Sequence, residues 1–317
     1  MNKLIAIIAG EPNSISSEII FKSWQLRKKY SHKTFFVIGS VRLLNLQKEK
    51  LNYKIKIKKI NSNLKISNLK GNAMPVYDIE YKQKKPFEKI SNKSNKYILE
   101  CFNQAIKFAV SKKIVGFINC PISKENLFKK KYQGITEFLS KKFNMSDREA
   151  MLIYNNKLAV SPITTHIPLN QVSSKIKESK IVEKVRIINT FYKKNFNKKP
   201  NFAILGLNPH NYKEKNAIHQ AIKKLAKLKV KASGPIPADS IFMIFKKYKF
   251  DVIIGMYHDQ VLAPFKALYN FDAINITLGL PVVRVSPDHG VAENITGKKI
   301  ANPKSLIESI KFFNYIN

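Results

Sequence analysis

The stretch Asp251-Val252-Ile253-Ile254-Gly255-Met256-Tyr257-His258-Asp259-Gln260 sets the reading of this chain. A short apolar run, with the length and flanking of a fully buried strand, ends abruptly in an imidazole, a carboxylate and an amide. The polar groups continue through Pro264-Phe265-Lys266, Asn275-Ile276-Thr277-Leu278-Gly279-Leu280-Pro281 and Arg284-Val285-Ser286-Pro287-Asp288-His289-Gly290. An ordinary core stretch holds aliphatics at such positions. A site for an anionic substrate, a metal and a cofactor has this composition instead.

Working outward, short apolar runs alternate with helix-period segments. Lys3–Ala9, Thr34–Ile38, Ile114–Ile118, Asn201–Leu205, Asp251–Ile254 and Asp272–Thr277 read as buried strands. Ser16–Lys29, Lys96–Val110, Ile181–Lys193, Glu214–Leu228, Ala238–Lys247 and Lys304–Phe313 read as helices. This alternation predicts an α/β fold with largely parallel sheets and flanking helices. Lysine-rich 50–72 and 80–95 read as surface hairpins or loops. At 317 residues two domains are expected. The division predicted is 1–125 with 275–317, and 126–274.

The net charge is +36, which raises the question of nucleic acid. Only five of the 57 Lys and Arg residues are arginine, and the lysines are spread over the whole chain beside abundant Ile and Asn. No zinc-finger spacing, aromatic RNA-binding signature or basic heptad accompanies them. Drift in composition accounts for the charge better than a nucleic-acid partner does. No apolar run approaches the ~20 residues of a membrane span. The N-terminal apolar run meets Glu11-Pro12 with no cleavage pattern, so it reads as a first strand and not a signal peptide. Two cysteines, Cys101 and Cys120, form neither a disulfide framework nor a metal pair. A cytoplasmic location is expected.

Three of the six histidines stand just past apolar strands: His166 in Thr164-Thr165-His166-Ile167-Pro168-Leu169, His210 in Leu207-Asn208-Pro209-His210, and His258. Open α/β sheets place ligands at this carboxyl edge. Three imidazoles there suit a divalent metal with open positions for substrate. By pattern alone, capping or surface histidines remain an equal reading. Asp259 is placed to orient His258 or to accept a proton. Asp239 reads as a first-turn helix carboxylate. Arg284 is conspicuous in so lysine-rich a chain, and its fork suits two-point binding of phosphate or carboxylate. A salt bridge is the alternative. Thr136, after Gly134-Ile135, starts a helix as an anion site or a simple cap.

In order, Gly10-Glu11-Pro12, Pro121-Ile122-Ser123-Lys124, Thr136-Glu137, Thr-Thr-His-Ile-Pro-Leu, Leu-Asn-Pro-His, Gly234-Pro235-Ile236-Pro237-Ala238-Asp239, Tyr-His-Asp-Gln, Arg284 and His289-Gly290 resemble the 4-hydroxythreonine-4-phosphate dehydrogenase family of pyridoxal phosphate biosynthesis. The resemblance implies a homodimer of two-domain subunits, akin in fold to isocitrate and isopropylmalate dehydrogenases. It implies an active site in the cleft between the domains and at the dimer interface. His166, His210 and His258 would ligate one zinc, magnesium or cobalt ion. Ile135, Thr136, Lys266, Asn275 and Arg284 would meet a phosphorylated substrate, with Lys266 and Asp259 as catalytic candidates. The run from His289 through Gly290, Ala292 and Asn294 resembles the NAD or NADP loop of those dehydrogenases, which explains the absence of a Gly-x-Gly-x-x-Gly turn. The implied reaction is NAD(P)-dependent oxidation of 4-phosphooxy-L-threonine.

The sequence departs from the family in four places. Ile135 replaces a histidine, which raises a relative acting on another phosphorylated four-carbon hydroxy acid. Glu11, Ser14 and Ser16 stand for an Asp and two glycines, so a reshaped first turn is expected, since serine tolerates positive φ poorly. Asn211-Tyr212-Lys213 replaces Ala-Gly-Glu, and Asn294 replaces an aspartate.

Overall fold

The computed structural model describes residues 4–128, 132, 134–145, 148–209 and 217–316. The chain forms two compact units, Met1–Ile135 with Pro281–Tyr315, and Thr136–Leu280 with Ile316–Asn317. Both crossings fall later than the breaks near 125 and 275 indicated by the sequence pattern. They coincide with the start of a helix at Ile135 and with the turn after Gly279.

In the first unit the chain forms β1 (Leu4–Ile8), β2 (Thr34–Gly39), β3 (Ile57–Ile60), β4 (Met74–Asp78) and β5 (Gly116–Asn119). In the second it forms β6 (Ala150–Asn155), β7 (Leu158–Pro162), β8 (Phe202–Leu205), β9 (Ala232–Ile236), β10 (Val252–Gly255) and β11 (Ile274–Leu278). It returns to the first unit as β12 (Val283–Pro287).

The first unit's strand order is β3-β4-β2-β1-β5-β12, and every pairing is parallel. β1 and β5 are buried throughout, as continuous apolar runs inside a covered parallel sheet must be. Ser16–Leu26, Asn95–Val110 and Lys304–Tyr315 are its long helices. The lysine-rich segment 50–72 is not a hairpin. It contributes β3, a parallel edge strand whose exposed Lys58 and Lys59 guard an open edge.

The second unit orders its strands β11-β6-β7-β10-β8-β9. β6 runs antiparallel to both neighbours, and the rest are parallel. β6 and β7 form a hairpin in which Asn155 pairs Leu158. One core gathers Val160, Leu205, Ile253, Val261 and Phe265 under the helices Ala238–Ile244 and His258–Tyr269.

The first turn accommodates its serines without strain. Gly10 alone takes the left-handed region there, at φ +76°, and a Cβ on it would lie 2.5 Å from the Pro121 carbonyl oxygen. That carbonyl accepts the Glu11 N–H at 2.8 Å. Ser14 Oγ donates to the Glu11 carbonyl at 2.7 Å and meets Ser16 Oγ at 2.8 Å. Neither serine has positive φ, so hydroxyl bonds hold the turn instead of glycine backbone freedom.

Both cysteines are free and buried. No helix among the described residues is long and apolar enough to cross a membrane.

Candidate active site

The geometry of the site begins with main-chain bonds that outrun the strands. β7 and β10 stay in step past their ends: Ile163 N–H donates to the Gly255 carbonyl at 2.8 Å and Thr164 N–H to that of Met256 at 3.2 Å. Thr164 Oγ1 adds a second bond to the Met256 carbonyl at 2.7 Å. Gln260 ties in the next strand. Its Oε1 accepts the Met256 N–H and its Nε2 donates to the Gly206 carbonyl, both at 2.7 Å. Segments carrying His166 and His258, and the one leading through Gly206 toward His210, therefore leave neighbouring strand ends in fixed register. His210 itself, and the Asn211-Tyr212-Lys213 departure, lie outside the described residues.

The rings of His166 and His258 have centroids 5.9 Å apart. His258 is not in a loop. It is the first residue of the helix His258–Tyr269, and the extended backbone of Tyr257 caps it. Its Nδ1 lies 2.6 Å from Asp259 Oδ1. His166 presents Nδ1 to Glu137 Oε1 at 3.9 Å. Each imidazole thus faces a carboxylate with one nitrogen and turns Nε2 elsewhere. The Asp259 contact has hydrogen-bond length, the kind by which outer carboxylates orient metal-ligating histidines, whereas the Glu137 contact is an ion-pair distance. With metal–nitrogen bonds of about 2.1 Å, two imidazoles sharing one ion hold their centroids roughly 5–6 Å apart. The observed spacing lies at the wide end of that range. Among the described residues no group of three or more His, Cys, Asp or Glu side chains forms a ligand set.

Glu137, directly after Thr136, joins the site through His166, a role its sequence context does not reveal. Its Oε2 is buried without a hydrogen-bond partner among the described residues. A buried carboxylate oxygen left unpaired is costly and marks a place where a group is expected.

The anion-binding candidates fall in both units. In the second unit, Thr136 is the second residue of the helix Ile135–Lys142, and its Oγ1 meets Thr277 Oγ1 at 3.0 Å. Asn275 lies two residues before Thr277 on β11, on the same face. Its Oδ1 is buried and has no partner among the described residues. Ile135 is buried, whereas Asp259 and Lys266 are exposed, two turns apart on one side of their helix. In the first unit, Arg284 on β12 is only 3% exposed and donates from Nε to Asn119 Oδ1 at 2.7 Å. That partner is a neutral amide. Asp239 sits exposed in the first turn of Ala238–Ile244, as its dipole reading requires.

The loop from His289 to Asn294 is anchored within the first unit. Ile15 N–H donates to the Val291 carbonyl at 3.3 Å, and Ile90 N–H to Glu293 Oε1 at 3.4 Å. His289 Nδ1 lies 3.1 Å from the Gly290 carbonyl, Ala292 takes φ +48°, and Gly290 and Asn294 are exposed. Burial raises the Glu11 carboxyl above its ordinary range, and the charge of Glu293 raises it further.

This is an α/β protein whose second unit carries, at its strand ends, an imidazole pair with each ring facing a carboxylate. Residues 31–313 match the family model described as pyridoxal phosphate biosynthetic protein PdxA, and the chain belongs to that family. It is 36% identical over 317 residues to a 4-hydroxythreonine-4-phosphate dehydrogenase of Sulfurihydrogenibium sp. strain YO3AOP1, covering 97% of this chain and 96% of the relative. A protein of Oceanobacillus iheyensis, provisionally named a D-threonate 4-phosphate dehydrogenase, is 29% identical over 97% of this chain and 96% of its own. The solved structure of a protein from Salmonella typhimurium, provisionally titled a 4-hydroxythreonine-4-phosphate dehydrogenase, superposes with a TM-score of 0.85. It has 28% identity and covers 99% of both chains.

Proposed function

We propose that the chain is an NAD(P)- and metal-dependent dehydrogenase. It oxidises the secondary alcohol of 4-phosphooxy-L-threonine to 2-amino-3-oxo-4-phosphooxybutanoate, which loses carbon dioxide to give 3-amino-2-oxopropyl phosphate. The observation carrying this reading is the His166–His258 pair, each ring facing a carboxylate, in a chain 36% identical to a relative named for the activity.

His166, His258 and His210 would hold the ion, with Asp259 and Glu137 fixing the rings. A divalent ion supplies Lewis acidity toward the alcohol oxygen, and a nicotinamide supplies the hydride acceptor. The chain's own work is orientation and charge. Arg284, Lys266 and the Thr136 hydroxyl hold phosphate and carboxylate, and Asn275 offers an amide. Asp259 is exposed and beside His258, which suits a proton relay to solvent. His289, Gly290, Ala292 and Asn294 offer imidazole, amide and main-chain groups for ribose hydroxyls. A homodimer is part of this reading through the family resemblance, and Met243, Leu268 and Phe271 are exposed apolar side chains of the second unit.

The test is direct. Purified protein with substrate, a divalent metal and NAD or NADP should produce the reduced dinucleotide, and removal of metal by chelator should stop it. No turnover with any metal and either dinucleotide would end this reading.

A second reading is favoured by Ile135 and by the Oceanobacillus relative. A buried isoleucine in place of a hydrogen-bonding imidazole suits a substrate with a different group there, such as D-threonate 4-phosphate. Comparison of kcat/KM on the two phosphates decides between them.

A further inference from the structure

We propose that Asn119 is a positioning residue that sets the direction of the Arg284 guanidinium. The proposal rests on the reading that Arg284 holds an anionic group of the substrate. Arg284 on β12 pairs in register with Phe117 on β5, and Asn119 is the last residue of β5. The hydrogen bond from Arg284 Nε to Asn119 Oδ1 thus draws the arginine side chain toward the carboxyl ends of its strands, the edge where parallel sheets bind ligands. Both residues are almost wholly buried, at 3% and 2% exposure.

The amide is itself held. Asn119 Nδ2 donates to the Cys120 carbonyl at 3.2 Å, which fixes Oδ1 as the atom facing Arg284. A guanidinium is a rigid plane with five N–H donors. Holding Nε in place orients the plane and thereby aims the two Nη nitrogens. Without the amide, the bond that sets the direction of Nε is lost. Two-point recognition of phosphate or carboxylate depends on that aim, whereas mere positive charge does not.

The experiment is a double-mutant cycle on the full chain, read by calorimetric titration with inorganic phosphate and by steady-state kinetics, with Tm recorded for each variant. Asn119→Ala should weaken phosphate binding about tenfold, as loss of one charge-assisted bond predicts. It should raise KM by a similar factor while kcat stays within about twofold. Arg284→Lys should weaken binding at least as much. The double variant should bind no more weakly than Arg284→Lys alone, because Asn119 then has no guanidinium to aim. Asn119→Ser, whose hydroxyl is too short to reach Nε, replaces Asn119→Ala if the latter does not fold. If the Asn119 variants bind phosphate like wild type while Arg284→Lys is weakened, the positioning role is overturned. Multiplying losses in the double variant overturn it equally, since they place the effect elsewhere in the fold. Wild-type binding by Arg284→Lys would instead refute the anion-holding reading of Arg284 beneath it.

Discussion

His258 Nδ1 and Asp259 Oδ1 lie 2.6 Å apart, although the two residues are chain neighbours at the start of one helix. A carboxylate so close commits one ring nitrogen and defines which nitrogen an ion can use. Asp259→Asn should weaken divalent-metal affinity by about 10- to 100-fold, the range typical for a lost outer-shell partner. Competition with a chromophoric chelator measures it, and unchanged affinity would show that Asp259 does not orient His258.

The Thr136–Thr277 contact at 3.0 Å leads to a different split. Thr136→Val preserves shape and removes the hydroxyl. If that hydroxyl binds substrate without joining the chemistry, KM rises by about tenfold and kcat moves by less than about threefold. A fall in kcat at constant KM would assign Thr136 to the reacting centre instead.

Glu11 carries a pH signature. Its carboxyl is raised from 4.5 mainly by burial, so the folded state favours the protonated form. The folded state then binds more protons than the unfolded one between 4.5 and the raised folded value. The contribution of Glu11 to stability is highest below this window, falls through it as pH rises, and levels above it. Glu11→Gln does not titrate. Its Tm relative to wild type should therefore rise with pH above 4.5 and then level off. Thermal melts across that range check this, and a pH-independent difference would contradict it.

Cys101 and Cys120 are buried, and burial pushes both thiols far above their ordinary range. Since the thiolate is the reactive form, neither should react with a thiol reagent in the native protein, and both should react on unfolding. Fast labelling of native protein would count against the packing around β5.

Gly279 takes φ +85°, and a Cβ there would stand 2.1 Å from the Arg148 carbonyl oxygen. Gly279→Ala should cost about 2 kcal/mol or more in a denaturant titration, from backbone strain plus a clash with immobile main chain. A neutral substitution would mean that the turn after β11 yields easily.

Much of the architecture was readable because buried parallel strands spell themselves as apolar runs. β1, β2, β5, β8, β10 and β11 all lie within or beside segments identified that way. β12 escaped because Arg284 and Ser286 interrupt it, yet both are buried. The polar groups that marked this segment as functional also hid its strand. β6 and β7 escaped because Tyr154, Asn155 and Ser161 break the apolar pattern. The helix His258–Tyr269 was masked by its polar start and by Pro264 inside it. At the site, the nearness of His166 and His258 was foreshadowed only by their equivalent places after strands. Spacing along the chain carries no information about which strands become neighbours. Glu137 stands in the Thr136-Glu137 pair that carries the family resemblance, yet its role beside His166, like that of Asn119 beside Arg284, arises from a partner far away in sequence.

The bonds that run on past β7 and β10 have a kinetic corollary. Two imidazoles mounted on such a braced frame need little rearrangement to receive an ion, so capture should follow collision and loss of coordinated water instead of waiting for a slow refolding step. Metal uptake by stopped flow should accordingly be a single phase whose rate climbs linearly with ion concentration, without a plateau.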